Sequence, residues 1–209
     1  MAQYFSIHVE NPQARLIRRA VEIVREGGLM VYPTDSCYAL GCHIGDKTAM
    51  ARIRRIRQVD DRHHLTLVCR DLSELGKYAI VDNSQYRALK AATPGSYTFI
   101  LKATREVPKR LLYPKRHTIG LRVPDHAVVR ALLEEMGEPI LSSTLILPGD
   151  ELPLNDGEEI RKRLERDVDL ILDGGSCGLE MTTVIDLTEE VPTVVRRGKG
   201  SEAPFGGAA

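Results

Sequence analysis

The stretch Leu29-Met30-Val31-Tyr32-Pro33-Thr34-Asp35-Ser36-Cys37-Tyr38-Ala39-Leu40-Gly41 decides the architecture. Leu29 to Tyr32 is a short apolar run closed by Pro33, which reads as a buried strand. Thr34, Asp35 and Ser36 follow it directly. Upstream, Asn11 is placed as a helix cap and Pro12 at the first helical position. From Gln13 to Glu26, Leu16, Ile17, Ala20, Val21 and Val24 share one helical face. Arg15, Arg18, Arg19, Glu22 and Arg25 share the other, and Gly27-Gly28 ends the helix.

The same alternation continues downstream. Asp46 caps a helix reaching Arg57, with Ala49, Met50, Ile53 and Ile56 on its apolar face. Leu65 to Cys69 reads as a strand, Asp71 starts a short helix, and Asn83 to Ala91 forms another that stops before Pro94. Strands are predicted over Tyr97 to Ala103, Ile119 to Val123, Pro139 to Ser142, Val168 to Leu172, Thr183 to Leu187 and Thr193 to Arg196. Helices are predicted over Asp125 to Met136, stopped by Gly137, and from Asp156 to about Asp167. Helices and strands interleave without a strict strand–helix–strand repeat, so the class is α/β with a mixed sheet. No internal repeat or linker divides the chain, which reads as one domain over 1–209, with residues 198–209 as a frayed tail.

Composition narrows the function. Lys+Arg and Asp+Glu are both 29 among 209 residues, which argues against a globally basic nucleic-acid clamp. Aromatics are 5% and tryptophan is absent, a poor basis for a base-stacking surface. The opening residues lack a signal-peptide pattern, and no apolar run is long enough to span a membrane. Cys37, Cys42, Cys69 and Cys177 form no C-x-x-C pair, and neither Cys42-His43 nor His63-His64 has structural-zinc spacing. The expectation is free thiols, no metal site and a cytoplasmic location.

The informative residues sit at strand ends. Thr34, Lys102, Arg122, Ser142, Ser143, Thr144, Thr182, Thr183 and Arg196 all do so. Open α/β sheets bind ligands at such ends. Hydroxyls with guanidinium forks suit phosphates and carboxylates, so the pattern points to an anionic small molecule such as a nucleotide. There is no Walker loop, no G-x-G-x-x-G and no G-x-S-x-G. Arg52, Arg54, Arg55 and Arg57 make the second helix basic, and Arg62 follows it, with Asp60 and Asp61 as nearby acids. That face is either solvated or a phosphate-binding edge for a nucleotide or RNA backbone.

Tyr32 to Gly41 resembles the Y-P-T-D-T-x-Y-G-L-G signature of the YrdC/YciO family. Pro94 to Leu101 resembles its P-G-P-x-T-x-I-L segment, and Gly120 to Pro124 its G-x-R-x-P. Thr182 to Asp186 and Val195 to Gly198 are similar to its closing elements, so the resemblance spans Leu16 to Gly198. It implies a twisted α/β fold with a positively charged concave cavity. It also implies synthesis of L-threonylcarbamoyl-adenylate from L-threonine, bicarbonate and ATP with Mg²⁺, for tRNA modification. Some members bind double-stranded RNA. By resemblance Thr34 and Arg122 hold the amino acid. Arg57, Ser142, Thr144, Thr182, Thr183 and Arg196 hold the nucleotide (ATP or AMP), Arg57 and Ser142 being the catalytic pair. Arg52, Arg54 and Arg55 are the candidate contacts to double-stranded RNA or tRNA. Two positions depart. Val59 stands where the catalytic branch has the arginine of K-x-R, and Thr144 where it has the asparagine of S-x-N. A valine donates nothing, and a threonine lacks the amide's two donors. With these departures the chain resembles the YciO branch, which implies weak or altered synthase chemistry. Two alternatives stay open: an active synthase in which Arg57 and Thr144 compensate, and a non-catalytic RNA-binding module.

Overall fold

The computed structural model describes residues 1–60, 63, 65–113 and 116–205. Its first half runs β1 (Gln3–Ser6), α1 (Ala14–Arg25), β2 (Met30–Tyr32), β3 (Ala39–His43), α2 (Lys47–Arg57), β4 (Thr66–Val68), α3 (Leu72–Tyr78), α4 (Asn83–Ala92) and β5 (Tyr97–Lys102). The second half runs β6 (Thr118–Arg122), α5 (Ala127–Met136), β7 (Ile140–Thr144), α6 (Gly157–Leu164), β8 (Leu170–Asp173), β9 (Thr183–Asp186) and β10 (Thr193–Arg196). Among the described residues these strands form one sheet, ordered β1-β8-β2-β3-β7-β4-β6-β5-β9-β10. Parallel pairs such as β2 with β8 and β4 with β6 sit beside antiparallel pairs such as β3 with β7 and β5 with β6. The sheet is mixed, as the interleaved sequence predicts.

Local chemistry sets most boundaries. Asp46 accepts from the Ala49 N–H at 2.8 Å, Asp71 from Glu74 at 2.8 Å and Asp156 from Glu159 at 2.9 Å. Each satisfies an orphan donor in the first turn of its helix. Gly137 ends α5 at φ 70°, a conformation that favours glycine. The start of α1 differs from the sequence expectation. Gln13 is the cap residue, and Asn11 and Pro12 lie outside the helix. The reason is a local turn, in which the His8 ring accepts from the Asn11 N–H at 3.1 Å and Gln13 accepts from the His8 N–H. Two strands escape the sequence reading. β1 is short and half polar, and β3, Ala-Leu-Gly-Cys-His, contains no β-branched or aromatic-hydrocarbon residue and has little strand propensity.

Helices cover the two faces unequally. On one face α2, α3, α4 and α6 bury Ile53, Leu75, Leu89 and Ile160 against Leu67, Phe99, Leu121 and Leu141. On the other, Ile17, Val21 and Val24 of α1 and Val128, Leu132 and Met136 of α5 cover Met30, Tyr32, Ile140 and Leu170. That second layer stops near β4. Beyond it Thr66, Thr98, Ile100 and Val184 stay only half-buried, and this uncovered half of the sheet is where a ligand has room.

The tail expectation is corrected over its described part. Phe205 is buried, with its ring 5.7 Å from that of Tyr97 and 5.8 Å from that of Phe99. The Thr183 hydroxyl donates to Gly200 O at 2.6 Å and the Tyr97 hydroxyl to Ser201 O at 2.9 Å. A buried aromatic residue and these hydrogen bonds help hold a segment whose composition reads as loose. Residues 206–209 lie outside the described residues. Among the described residues no helix is long and apolar enough to cross a membrane.

Candidate active site

A cavity of about 300 Å³ opens on the uncovered half of the sheet. Its floor is Thr66, Thr98, Ile100, Gly120 and Val184, from four neighbouring strands. Arg57 enters from the last residue of α2, which Gln58 terminates in the left-handed region at φ 48°. The Arg57 Nη1 donates to Ser143 Oγ and to Thr144 O, both at 2.7 Å. Arg196, at the end of β10, donates through Nη2 to Thr182 O at 2.9 Å and Thr182 Oγ1 at 3.1 Å. The Thr182 and Thr98 hydroxyls are 2.9 Å apart. No aspartate or glutamate is among the described residues lining the cavity, and neither arginine has a carboxylate partner there. Burial lowers the Arg57 pKa, and the Arg196 charge lowers it further. Burial likewise lowers that of Arg196. The Arg57 Nε is buried without a partner. Two desolvated cations facing neutral oxygens lack the counter-charge that buried ions ordinarily require.

A second cluster lies between the loop after β2 and the end of β6. Arg122 donates to Asp35 in an ion pair with both side chains more than nine-tenths covered. Ser96 Oγ donates to Asp35 Oδ2 at 3.0 Å. The Thr34 hydroxyl donates to Cys37 O at 2.7 Å and accepts from the Ser36 N–H. These bonds fold Thr34 to Cys37 into a tight turn beside Arg122. His126, the residue before α5, has a buried Nδ1 without a partner, and burial lowers its pKa. Burial pushes the Cys37 and Cys177 thiols up, which keeps both protonated and poorly nucleophilic.

The structure brings together Arg57, Thr144, Thr182 and Arg196 in the cavity, and Thr34 with Arg122 in the second cluster. Ser142 is engaged elsewhere. Its hydroxyl donates to Leu40 O at 3.1 Å and accepts from the Tyr32 hydroxyl at 2.8 Å, and Ser143 is the serine that meets Arg57. Thr183 is fully buried on the opposite face, paired with Tyr97 and bonded to Gly200 O. Val59 is half-buried and does not line the cavity. Arg52 donates to Asp169 at 2.6 Å and Arg55 to Asp167 at 3.3 Å, so the acids near the basic helix are not Asp60 and Asp61 alone. Arg54 also has a partner. Arg62, Asp61 and His64 lie outside the described residues. His43 pairs with Glu138 at 2.8 Å, and no group of three metal-ligating side chains occurs among the described residues. Thr66 and Thr98 line the cavity and are missing from the strand-end set, while Ser143 belongs to that set but is given no nucleotide role by the resemblance. The alternation of Thr98 and Ile100 with Tyr97, Phe99 and Leu101 was the available signal, since it puts Thr98 on the face opposite the core.

The sequence profile of the Sua5/YciO/YrdC family, described as "Telomere recombination", matches residues 22–198. The chain belongs to this family. It is 61% identical over 205 residues to the Escherichia coli (strain K12) protein YciO, covering 98% of this chain and 100% of that one. It is 33% identical over 141 residues to a threonylcarbamoyl-AMP synthase of Chromobacterium violaceum, covering 67% of this chain and 72% of the synthase. The crystal structure of E. coli YciO superposes with a TM-score of 0.95 over 98% of this chain and all of that one. Sua5 of P. abyssi, complexed with L-threonine, superposes at 0.86 with 26% identity over 94% of this chain and 58% of its own. Family and fold therefore agree with the motifs of the sequence, and the relation to the synthases is distant.

Proposed function

We propose that this protein binds an adenine nucleotide, ATP or AMP, in the Arg57–Arg196 cavity and an amino acid beside Arg122 and Thr34. On this reading it has weak or altered L-threonylcarbamoyl-adenylate synthase chemistry. One observation carries the nucleotide assignment: two half-buried, partly desolvated arginines share a hydroxyl-lined cavity in which no described residue is a carboxylate. A phosphate chain between them would supply the missing charge and accept from the guanidinium forks. L-threonine as amino acid is supported by the distant synthase relatives and by the fold shared with the threonine complex of Sua5. No described residue of the lining is a carboxylate, so Mg²⁺ would arrive on the nucleotide's phosphates with most of its water shell.

Val59 and Thr144 set the expected level of activity. Val59 contributes no donor, and Thr144 offers Arg57 its carbonyl. A missing transition-state donor costs on the order of 10²–10³ in rate. Double-stranded RNA or tRNA has less support as a partner, because Arg52 and Arg55 already pair with Asp169 and Asp167. Pyrophosphate release from ATP and Mg²⁺ with bicarbonate, with and without L-threonine, is the test. The expected result is nucleotide binding with little threonine-dependent release. Robust release requiring both co-substrates would replace this reading with that of an active synthase. No nucleotide binding would end it.

A further inference from the structure

The segment after β10 crosses between the two halves of the site. Gly198 packs flat on the Met181–Thr182 backbone, and the Lys199 N–H donates to Met181 O at 2.9 Å. Gly200 lies on the Tyr97 ring so closely that a Cβ there would sit 2.5 Å from it. Phe205 then anchors the segment in the core. Between these fixed points the Lys199 side chain reaches over to donate through Nζ to Asp35 O. Its ammonium thus stands at the turn that carries Thr34, beside the Asp35–Arg122 ion pair.

The charges there do not balance. Asp35 and Arg122 cancel each other inside a buried pair. Lys199 has no carboxylate partner among the described residues and bonds a neutral carbonyl. A ligand carboxylate offered to Arg122 alone would compete with Asp35, which already occupies that guanidinium. We propose that Lys199 is a substrate-positioning residue: it supplies the uncompensated positive charge that receives the carboxylate of the amino-acid substrate. This rests on the amino-acid reading given above and deepens it. Lys199 lies beyond the motifs that carry the family resemblance, which end at Gly198. The strap therefore gives this chain a carboxylate contact that those motifs do not supply. An exposed lysine on a four-carbon stem can leave a carbonyl for a carboxylate without moving the backbone. The stronger, charge-assisted bond favours that exchange.

The test is calorimetric titration of the full chain with L-threonine and with L-threoninamide, which lacks the carboxylate, each with AMP present. Wild type, K199M, K199Q and K199R are compared, and AMP affinity and melting temperature are followed in parallel. The expected result is that wild type prefers L-threonine over the amide by roughly tenfold, the usual scale for one charge-assisted bond. K199M and K199Q lose that preference, K199R keeps it, and AMP affinity does not move. If Lys199 only braced the turn, its loss would weaken acid and amide equally, and that outcome overturns the proposal. Unchanged threonine binding in K199M and K199Q overturns it as well, while the amino-acid reading survives. A wild type that binds AMP but no L-threonine overturns both.

Discussion

Arg57 and Arg196 hold most of the charge that makes the cavity a site. Each is desolvated, and each donates to neutral oxygens. R57A and R196A are each expected to weaken AMP or ATP binding by about 10- to 100-fold, the range for losing hydrogen bonds to a charged group. R57K should recover only part of the loss, because a lysine restores charge without the planar fork. Titration at fixed ionic strength checks this, and unchanged affinity in both alanine variants would remove the nucleotide from this cavity. His126 supplies a pH test. Burial depresses its pKa, while the nearby Asp35 charge pulls the other way and does not prevail. A depressed folded pKa means the unfolded chain takes up the proton first. The stabilisation is therefore complete above the unfolded value of about 6.5 and lost as pH falls below it. Denaturant midpoints should drop between pH 7 and pH 5 in wild type and drop less in H126Q. At this scale the sequence identified the right residue types but not every right residue. Ser142, Ser143 and Thr144 are successive and polar, and nothing local says which hydroxyl an arginine will reach. That choice depends on where α2 ends, 86 positions earlier in the chain.

Elements explain why the basic helix misleads. A count of nearby charges finds Asp60 and Asp61, yet the partners of Arg52 and Arg55 are Asp169 and Asp167, more than a hundred residues away. Asp169 also accepts from the Leu29 N–H at 2.7 Å, so it ties the entrance of β2 to α2 through the start of β8. D169A should cost about 1–3 kcal/mol, mostly from leaving the Leu29 donor unpaired rather than from the half-exposed ion pair. Urea unfolding measures it, and a loss shared by R52A would instead credit the ion pair. The Asp46, Asp71 and Asp156 caps were legible because capping is local in the chain. β3 was not, because Ala39–His43 acquires its strand character from β2 and β7 on either side. The same logic applies to Ser142 on β7. S142A leaves the buried Tyr32 hydroxyl without its acceptor, so it should destabilise the fold by about 1–3 kcal/mol. Nucleotide affinity at saturating folding should stay near wild type. An S142A protein that is stable but no longer binds nucleotide would return Ser142 to the site.

At the scale of the whole molecule, the site exists because one face of the sheet is covered only halfway. α1 and α5 seal the β8-β2-β3-β7 half, and among the described residues no helix lies over Thr66, Thr98, Ile100 and Val184. A helix there would fill the cavity. The strap of residues 198–205 does not take that place: it touches the site only at the rim, through Gly198 and Lys199, and then passes to the opposite face, where Gly200 lies on Tyr97 and Phe205 enters the core. Apart from Phe205 it consists of glycine, lysine, serine, glutamate, alanine and proline, which reads as disorder, and a single residue reverses that reading. Phe205 packs on Tyr97 and Phe99, the two aromatics of β5, and completes the core cluster beneath α4. F205A should therefore cost about 3–5 kcal/mol, the range for truncating a buried aromatic. The consequence reaches the site, since freeing the end of the strap frees Lys199 from the turn at Asp35. F205A should weaken L-threonine binding while leaving AMP affinity near wild type when both are measured well below the melting temperature. A loss under about 1 kcal/mol, the level of an ordinary surface change, would mean that the strap is held by its hydrogen bonds to Thr183, Tyr97 and Met181 rather than by Phe205.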